Sequence, residues 1–196
     1  MIIAIVGAES TGKSTLAREL ALQLADATGL ACTFVAEHLR QWCDDAGRTP
    51  RRDEQAAIAH EQRQRIEAAA QSHDIVIADT TPLQTAAYSR FVFADRTLDE
   101  PGARWHAQRV AHTLVTALDL PWVADGLQRD GAHVREPVDA LLRELLATHR
   151  IAWSRIAGSG TARTETALDA VAPPWRTLAA PRRGGSTRLA ERDAAQ

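Results

Sequence analysis

Lysine is almost missing from this chain. Of its 23 lysine and arginine residues, only Lys13 is a lysine. Cysteine is scarce too. Cys32 and Cys43 are too few and too isolated for a zinc site or a disulfide framework. Read as reduced thiols, they fit the expected location, the cytoplasm. No apolar run approaches the ~20 residues of a membrane span. The first residues carry no basic segment ahead of their apolar stretch, so the expectation is no signal peptide. A formal net charge of -2 supplies no bulk positive field, which argues against nucleic acid or an anionic membrane as partner. What remains is a chain of 196 residues, enough to bury one core unaided, with the 45% hydrophobic share of a soluble globular protein.

The lone lysine sits inside Gly7-Ala8-Glu9-Ser10-Thr11-Gly12-Lys13-Ser14, a full match to the phosphate-binding pattern G-x-x-x-x-G-K-[ST]. Arginine is a planar fork, whereas lysine is a compact charge on a flexible stem. The sequence around the motif supplies its other two parts. Met1–Val6 is an unbroken, β-branched apolar run, as a buried parallel strand requires. Leu16, Leu20 and Leu24 then recur at helical spacing. Backbone N–H groups of such a loop wrap phosphates, and the helix N-terminus adds its partial positive charge. The nucleotide contacts are therefore expected from Gly7, Glu9, Ser10, Thr11, Gly12, Lys13, Ser14 and Thr15, with the Ser14 hydroxyl on Mg²⁺.

Four more apolar runs follow: Ala31–Ala36, Asp74–Asp79, His112–Leu118 and Ile151–Ala157. Segments rich in Ala, Gln, Glu and Arg, good helix formers, separate them, the longest spanning about Arg52–Ser72. This alternation predicts an α/β fold, a parallel sheet with helices on both faces. Periodicity stops at Pro173-Pro174, so the expected organisation is one domain over 1–172 and a flexible tail over 173–196. Open α/β sheets bind ligands beyond the carboxyl ends of their strands. Glu37 follows the second run, Asp79 ends the third, and Gly158-Ser159-Gly160 follows the fifth.

These residues together resemble the nicotinamide riboside kinase domain of bacterial NadR-type NAD-biosynthesis proteins and its stand-alone relatives. The resemblance rests on Gly7 to Leu16, Glu37 with Arg40, Asp79-Thr80, and Pro121-Trp122-x-x-Asp125-Gly126-x-x-Arg129 followed by Arg135, and covers roughly residues 1–171. It implies a three-layer P-loop kinase-like fold with five parallel strands in the order 2-3-1-4-5. It also implies ATP and Mg²⁺ as cofactors and a small-molecule riboside, nicotinamide riboside, as acceptor. The chain departs from the pattern at Thr81, where such kinases often carry a second aspartate. Two other readings stay open. The chain could phosphorylate another nucleoside or small metabolite, or bind nucleotide as a regulator without transferring phosphate.

On this resemblance Lys13 holds the β- and γ-phosphates, and Asp79 joins Ser14 at the metal. Asp79 also stands where Asp-Thr-Thr-Pro could cap a helix. Glu37 is the candidate to orient or deprotonate the acceptor hydroxyl; its other reading is a cap of the next helix. Arg40, at i+3, could pair with it. Arg129 and Arg135 would belong to a lid over the phosphates, against the alternative of a solvated loop. Arg163 is placed either near the adenine or on a helix surface. Trp42, Trp105 and Tyr88 could line a pocket or pack, and Trp153 belongs to a strand.

Overall fold

Five short apolar runs become five strands: β1 Ile2–Val6, β2 Cys32–Val35, β3 Ile75–Asp79, β4 Val110–Thr116 and β5 Trp153–Ile156. All are parallel, in the order β2-β3-β1-β4-β5. Around them lie α1 Lys13–Thr28, α2 His38–Ala46, α3 Gln55–Ser72, α4 Pro82–Phe93, α5 Asp99–Arg109, α6 Arg135–Thr148 and α7 Gly160–Ala179. The computed structural model describes residues 1–124 and 131–179.

Successive residues of β1 point to opposite faces, and each face finds its own helices. Ile3 and Ile5 pack against Leu16, Leu20 and Leu24 of α1 and against Ala167 and Val171 of α7. On the other face Val6 meets Leu83 and Ala86 of α4 and Val138, Leu142 and Leu146 of α6. Ile2 meets Ile66 of α3 and Trp105 of α5. Burial on both faces explains why β1 reads as a continuous apolar run rather than an alternating one.

Boundaries shift where chain connections are tight. β4 starts at Val110, not His112, because α5 runs into it with no loop between. α6 starts at Arg135, directly after a 3-10 turn over Ala132–Val134. The expected helix from Arg52 begins as a 3-10 turn, Arg52–Glu54. α7 runs to Ala179 and so spans the boundary expected at 172/173; residues 180–196 lie outside the described residues. Trp105 is core, with its indole N–H donating to Glu67 at 2.7 Å. Trp42 lies under the Arg48 guanidinium, and Trp153 packs beside α6. Among the described residues no helix is long and apolar enough to cross a membrane, and no group of three His, Cys, Asp or Glu side chains could hold a metal.

The order places β3 directly beside β1, with Ile5 paired to Asp79. β4 flanks β1 on the other side, with Val6 paired to Val115. The loop leaving β1 therefore emerges between the ends of two strands, and both can supply groups to it.

Candidate active site

The loop Gly7–Gly12 is held from three directions. Gly7 has φ of 153°, and any Cβ there would meet Thr116 Oγ1 at 2.0 Å. The Thr116 hydroxyl lies 2.7 Å from that of Thr11, which donates to the Ala8 carbonyl at 2.7 Å. From α4, the Gln84 amide accepts from Gly7 N–H and donates to Gly7 C=O, each at 2.9 Å. From beyond β4, Ser10 Oγ accepts from Val123 N–H and donates to Val123 C=O, both at 2.9 Å. These bonds hold Ser10 in the left-handed region, φ 55°, which non-glycine residues seldom enter.

Gly12, at φ 73°, turns the chain into α1. No acidic residue occupies the first turn of α1 and no side chain caps it. Its N–H groups and positive end of the dipole are thus left for an anion. Lys13 is buried and donates from Nζ to the Ala8 carbonyl at 2.8 Å, bridging the loop it belongs to.

Asp79 closes β3 with 2% exposure, and its Oδ1 is buried without a hydrogen-bond partner. The chain turns sharply after it: Thr80 has φ of 71°, and its N–H bonds to Ile5 C=O at 3.0 Å. From α3, Gln62 reaches the Asp79 and Thr80 carbonyls at 3.5 and 3.4 Å and accepts from His38 N–H at 2.7 Å. One buried amide thus ties the end of β3 to the start of α2. Asp79 caps no helix; Thr81 occupies the N-cap of α4. The Thr81 hydroxyl is not at the cleft. It bonds to His106 Nδ1 at 2.9 Å, and His106 Nε2 bonds to Thr113 at 2.8 Å. Burial drives the His106 pKa down to about 4, so this histidine is a neutral internal strut. The position where a second aspartate was missed thus faces the α5–β4 core.

A cleft of about 850 Å³ joins these groups. Its floor is the loop Glu9–Thr15, including Lys13 and Ser14. Asp79, Glu37 and Arg40 line the same cleft. Glu37 stands at the N-cap of α2 but makes no side-chain capping bond. Leu39, Cys43, Tyr88, Val92 and Phe93 also line the cleft. The unpartnered Oδ1 of Asp79 and the hydroxyl of Ser14 on the same cleft suit a hard cation bound through oxygen.

Three arginines fare differently. Arg129, with Asp125 and Gly126, lies outside the described residues. Arg135 opens α6 and is buried; it does not line the cleft, and its Nε and Nη2 lack hydrogen-bond partners. Arg163 corrects one of the two readings given for it. It is 4% exposed, so it is no surface residue. Its guanidinium donates to Thr11 C=O at 2.8 Å, Gly158 C=O at 2.7 Å and Asp119 at 3.3 Å. It braces the phosphate loop from behind. Burial pushes the Asp119 carboxyl up, but the Gly158 N–H and the Arg163 charge outweigh it and hold the carboxyl below its ordinary range.

Gln84, Gln62 and Thr116 were not legible as site residues. Thr81-Pro82-Leu83-Gln84 even carries a capping-box pattern. In the fold its two ends part, the threonine to His106 and the glutamine to Gly7.

The AAA domain family matches residues 2–163. No curated protein matches. Among solved structures, a NadR protein in complex with NR superposes with a TM-score of 0.70 at 21% identity, over 88% of this chain and 50% of that one. A NadR protein with NAD and AMP-PNP gives 0.67 at 20% identity, over 88% and 48%. Thymidylate kinase from Ehrlichia chaffeensis gives 0.61 at 16% identity, over 86% and 97%. The chain spans about half the length of the NadR chains it matches. These likenesses establish the fold of P-loop kinases.

Proposed function

The chain belongs to the AAA domain family, and from that premise we propose that it is an ATP-dependent kinase of a small riboside, nicotinamide riboside first among them. The reaction moves the γ-phosphoryl of Mg·ATP to a hydroxyl of the acceptor. The observation that carries this reading is the lining of the cleft. The phosphate loop, Glu37 and Asp79, and the side chains Leu39, Tyr88, Val92 and Phe93 line one cavity of about 850 Å³, a size within the range of small-molecule sites. Tyr88 and Phe93 give that lining aromatic surface beyond what phosphates alone require. The bound ligands named for the NadR structures, NR in one and AMP-PNP in the other, support the same pair of substrates.

Each residue then has a task. Phosphoryl transfer needs positioning and neutralisation of charge more than covalent chemistry. Lys13 and the loop N–H groups hold the β- and γ-phosphates. Ser14 and Asp79 would hold Mg²⁺, whose charge neutralises the phosphate oxygens. Glu37 orients the acceptor hydroxyl and takes its proton. Arg129 is assigned the supply of positive charge to the transferring group, and Arg135, buried at the start of α6 and off the cleft, is not.

Product analysis tests the proposal. The purified protein is incubated with Mg·ATP and a panel of ribosides that includes nicotinamide riboside. A phosphorylated riboside, formed in step with ADP, is the expected result. Tight ATP binding with no phosphorylated product from any riboside would overturn the kinase reading in favour of a nucleotide-binding regulator.

A further inference from the structure

Glu9 is a carboxylate inside a phosphate-binding loop, where its charge repels the ligand the loop is built to hold. It lines the cleft and is 4% exposed. Its two oxygens differ. Oε1 accepts from the Trp122 indole N–H at 2.9 Å and from the Gly131 amide at 3.1 Å. Oε2 is buried and has no hydrogen-bond partner. Two donors on Oε1 fix the plane of the group and therefore the direction of Oε2. The Lys13 ammonium lies within the same loop but donates to the Ala8 carbonyl.

A buried acceptor without a donor is costly, and a ligand in the cleft that Glu9 lines can supply one. Nucleotide phosphates are acceptors and cannot supply it. A sugar hydroxyl can. We propose that Glu9 is a specificity-determining residue of the acceptor pocket: its Oε2 accepts a hydrogen bond from a ribose hydroxyl of the acceptor. The inference rests on the kinase reading and adds to it a preference for ribosides over their deoxy counterparts. A site built to bond a hydroxyl rejects the analogue that lacks it, because the carboxylate is then buried with no partner.

The experiment pairs a protein change with a substrate change. Glu9→Gln keeps an amide oxygen for Trp122 and Gly131 and puts an NH₂ donor where Oε2 was. Steady-state kinetics with Mg·ATP are measured for nicotinamide riboside and its 2′-deoxy and 3′-deoxy forms. The wild type should lose about tenfold or more in kcat/KM on one of the deoxy forms, the size expected for a hydrogen bond to a buried charged group. Glu9→Gln should lose a similar factor on nicotinamide riboside, show no further loss on that deoxy form, and keep its KM for ATP. Equal sensitivity of both proteins to the missing hydroxyl overturns the proposal. So does an effect confined to ATP KM or to the Mg²⁺ dependence, which would place the carboxylate at the metal. If Glu9→Gln does not fold, the wild type alone decides: indifference to both deoxy forms refutes it. A wild type that phosphorylates none of the panel sinks the kinase reading, and this inference with it.

Discussion

Gln84→Ala should damage the phosphate loop more than any other change outside the loop itself. The Gln84 side chain is 3% exposed and forms a closed pair of bonds with the N–H and C=O of Gly7. Alanine removes both partners and leaves two buried backbone groups unsatisfied. Each such group costs about 1–3 kcal/mol, so the expected loss is roughly 2–6 kcal/mol, with partial relief if water enters. That is a large fraction of the ~5–15 kcal/mol typical of a domain. Mg·ATP affinity should fall as well, because Gly7 sets where the loop leaves β1. Urea denaturation followed by circular dichroism measures the first effect, and titration calorimetry the second. Gln84→Glu sharpens the test. Its carboxylate can still accept from Gly7 N–H but has no proton for Gly7 C=O. The introduced carboxyl is thus favoured in its protonated form, with a folded pKa above the ~4.3 of an unfolded glutamate. Its penalty against the wild type should be small near pH 4 and grow as pH rises through that folded pKa. A Gln84→Ala protein within about 0.5 kcal/mol of the wild type, binding ATP equally well, would refute the reasoning. A pH-independent Gln84→Glu difference would refute it too.

Other perturbations have equally definite outcomes. Lys13→Ala should weaken Mg·ATP binding about a hundredfold, the equivalent of ~3 kcal/mol of charge-assisted hydrogen bonding, and retained affinity would contradict the phosphate-loop assignment. Glu37→Gln should bind both substrates yet turn over at least ~100-fold more slowly, so near-normal turnover removes Glu37 from proton transfer. Burial lowers the His106 pKa from 6.5 to about 4, so its contribution to stability is present above pH 6.5 and is lost as pH falls toward 4. At 1.36 kcal/mol per pH unit the loss is on the order of 3 kcal/mol, and His106→Gln should flatten that limb of the stability–pH curve. Arg163→Met takes away three hydrogen bonds and should cost about 2–4 kcal/mol, with weaker ATP binding; Arg163→Lys should recover part of both, and an unchanged ATP affinity would deny the brace.

The phosphate loop was legible because its chemistry is local. Strand, glycines, lysine and helix occupy consecutive residues, so Gly7 to Ser14 could be assigned from spacing alone. The strands were legible for a related reason: a parallel strand buried on both faces must be apolar throughout, and β1 and β3 are. Glu37 and Asp79 were found by a rule of topology, that ligands sit beyond the carboxyl ends of strands, and the fold brings both to the cleft. Arg163 shows where such reasoning stops. Its place after β5 follows from the sequence, but which carbonyls its guanidinium meets depends on atoms more than a hundred residues away. Thr81 stands where resembling kinases often carry a second aspartate, yet the turn at Thr80 sends it toward His106.

By itself the sequence determined the order of elements, the phosphate site and the residues that end each strand, since all of these follow from short-range periodicity and loop chemistry. Tertiary structure alone decided what surrounds the loop. Gln84 reaches Gly7 from 77 residues away, Thr116 fills the space that Gly7 leaves open, and Trp122 and Gly131 converge on one oxygen of Glu9. No sequence pattern records these contacts, because a buried polar side chain is satisfied by whichever backbone group the packing of the sheet brings near it.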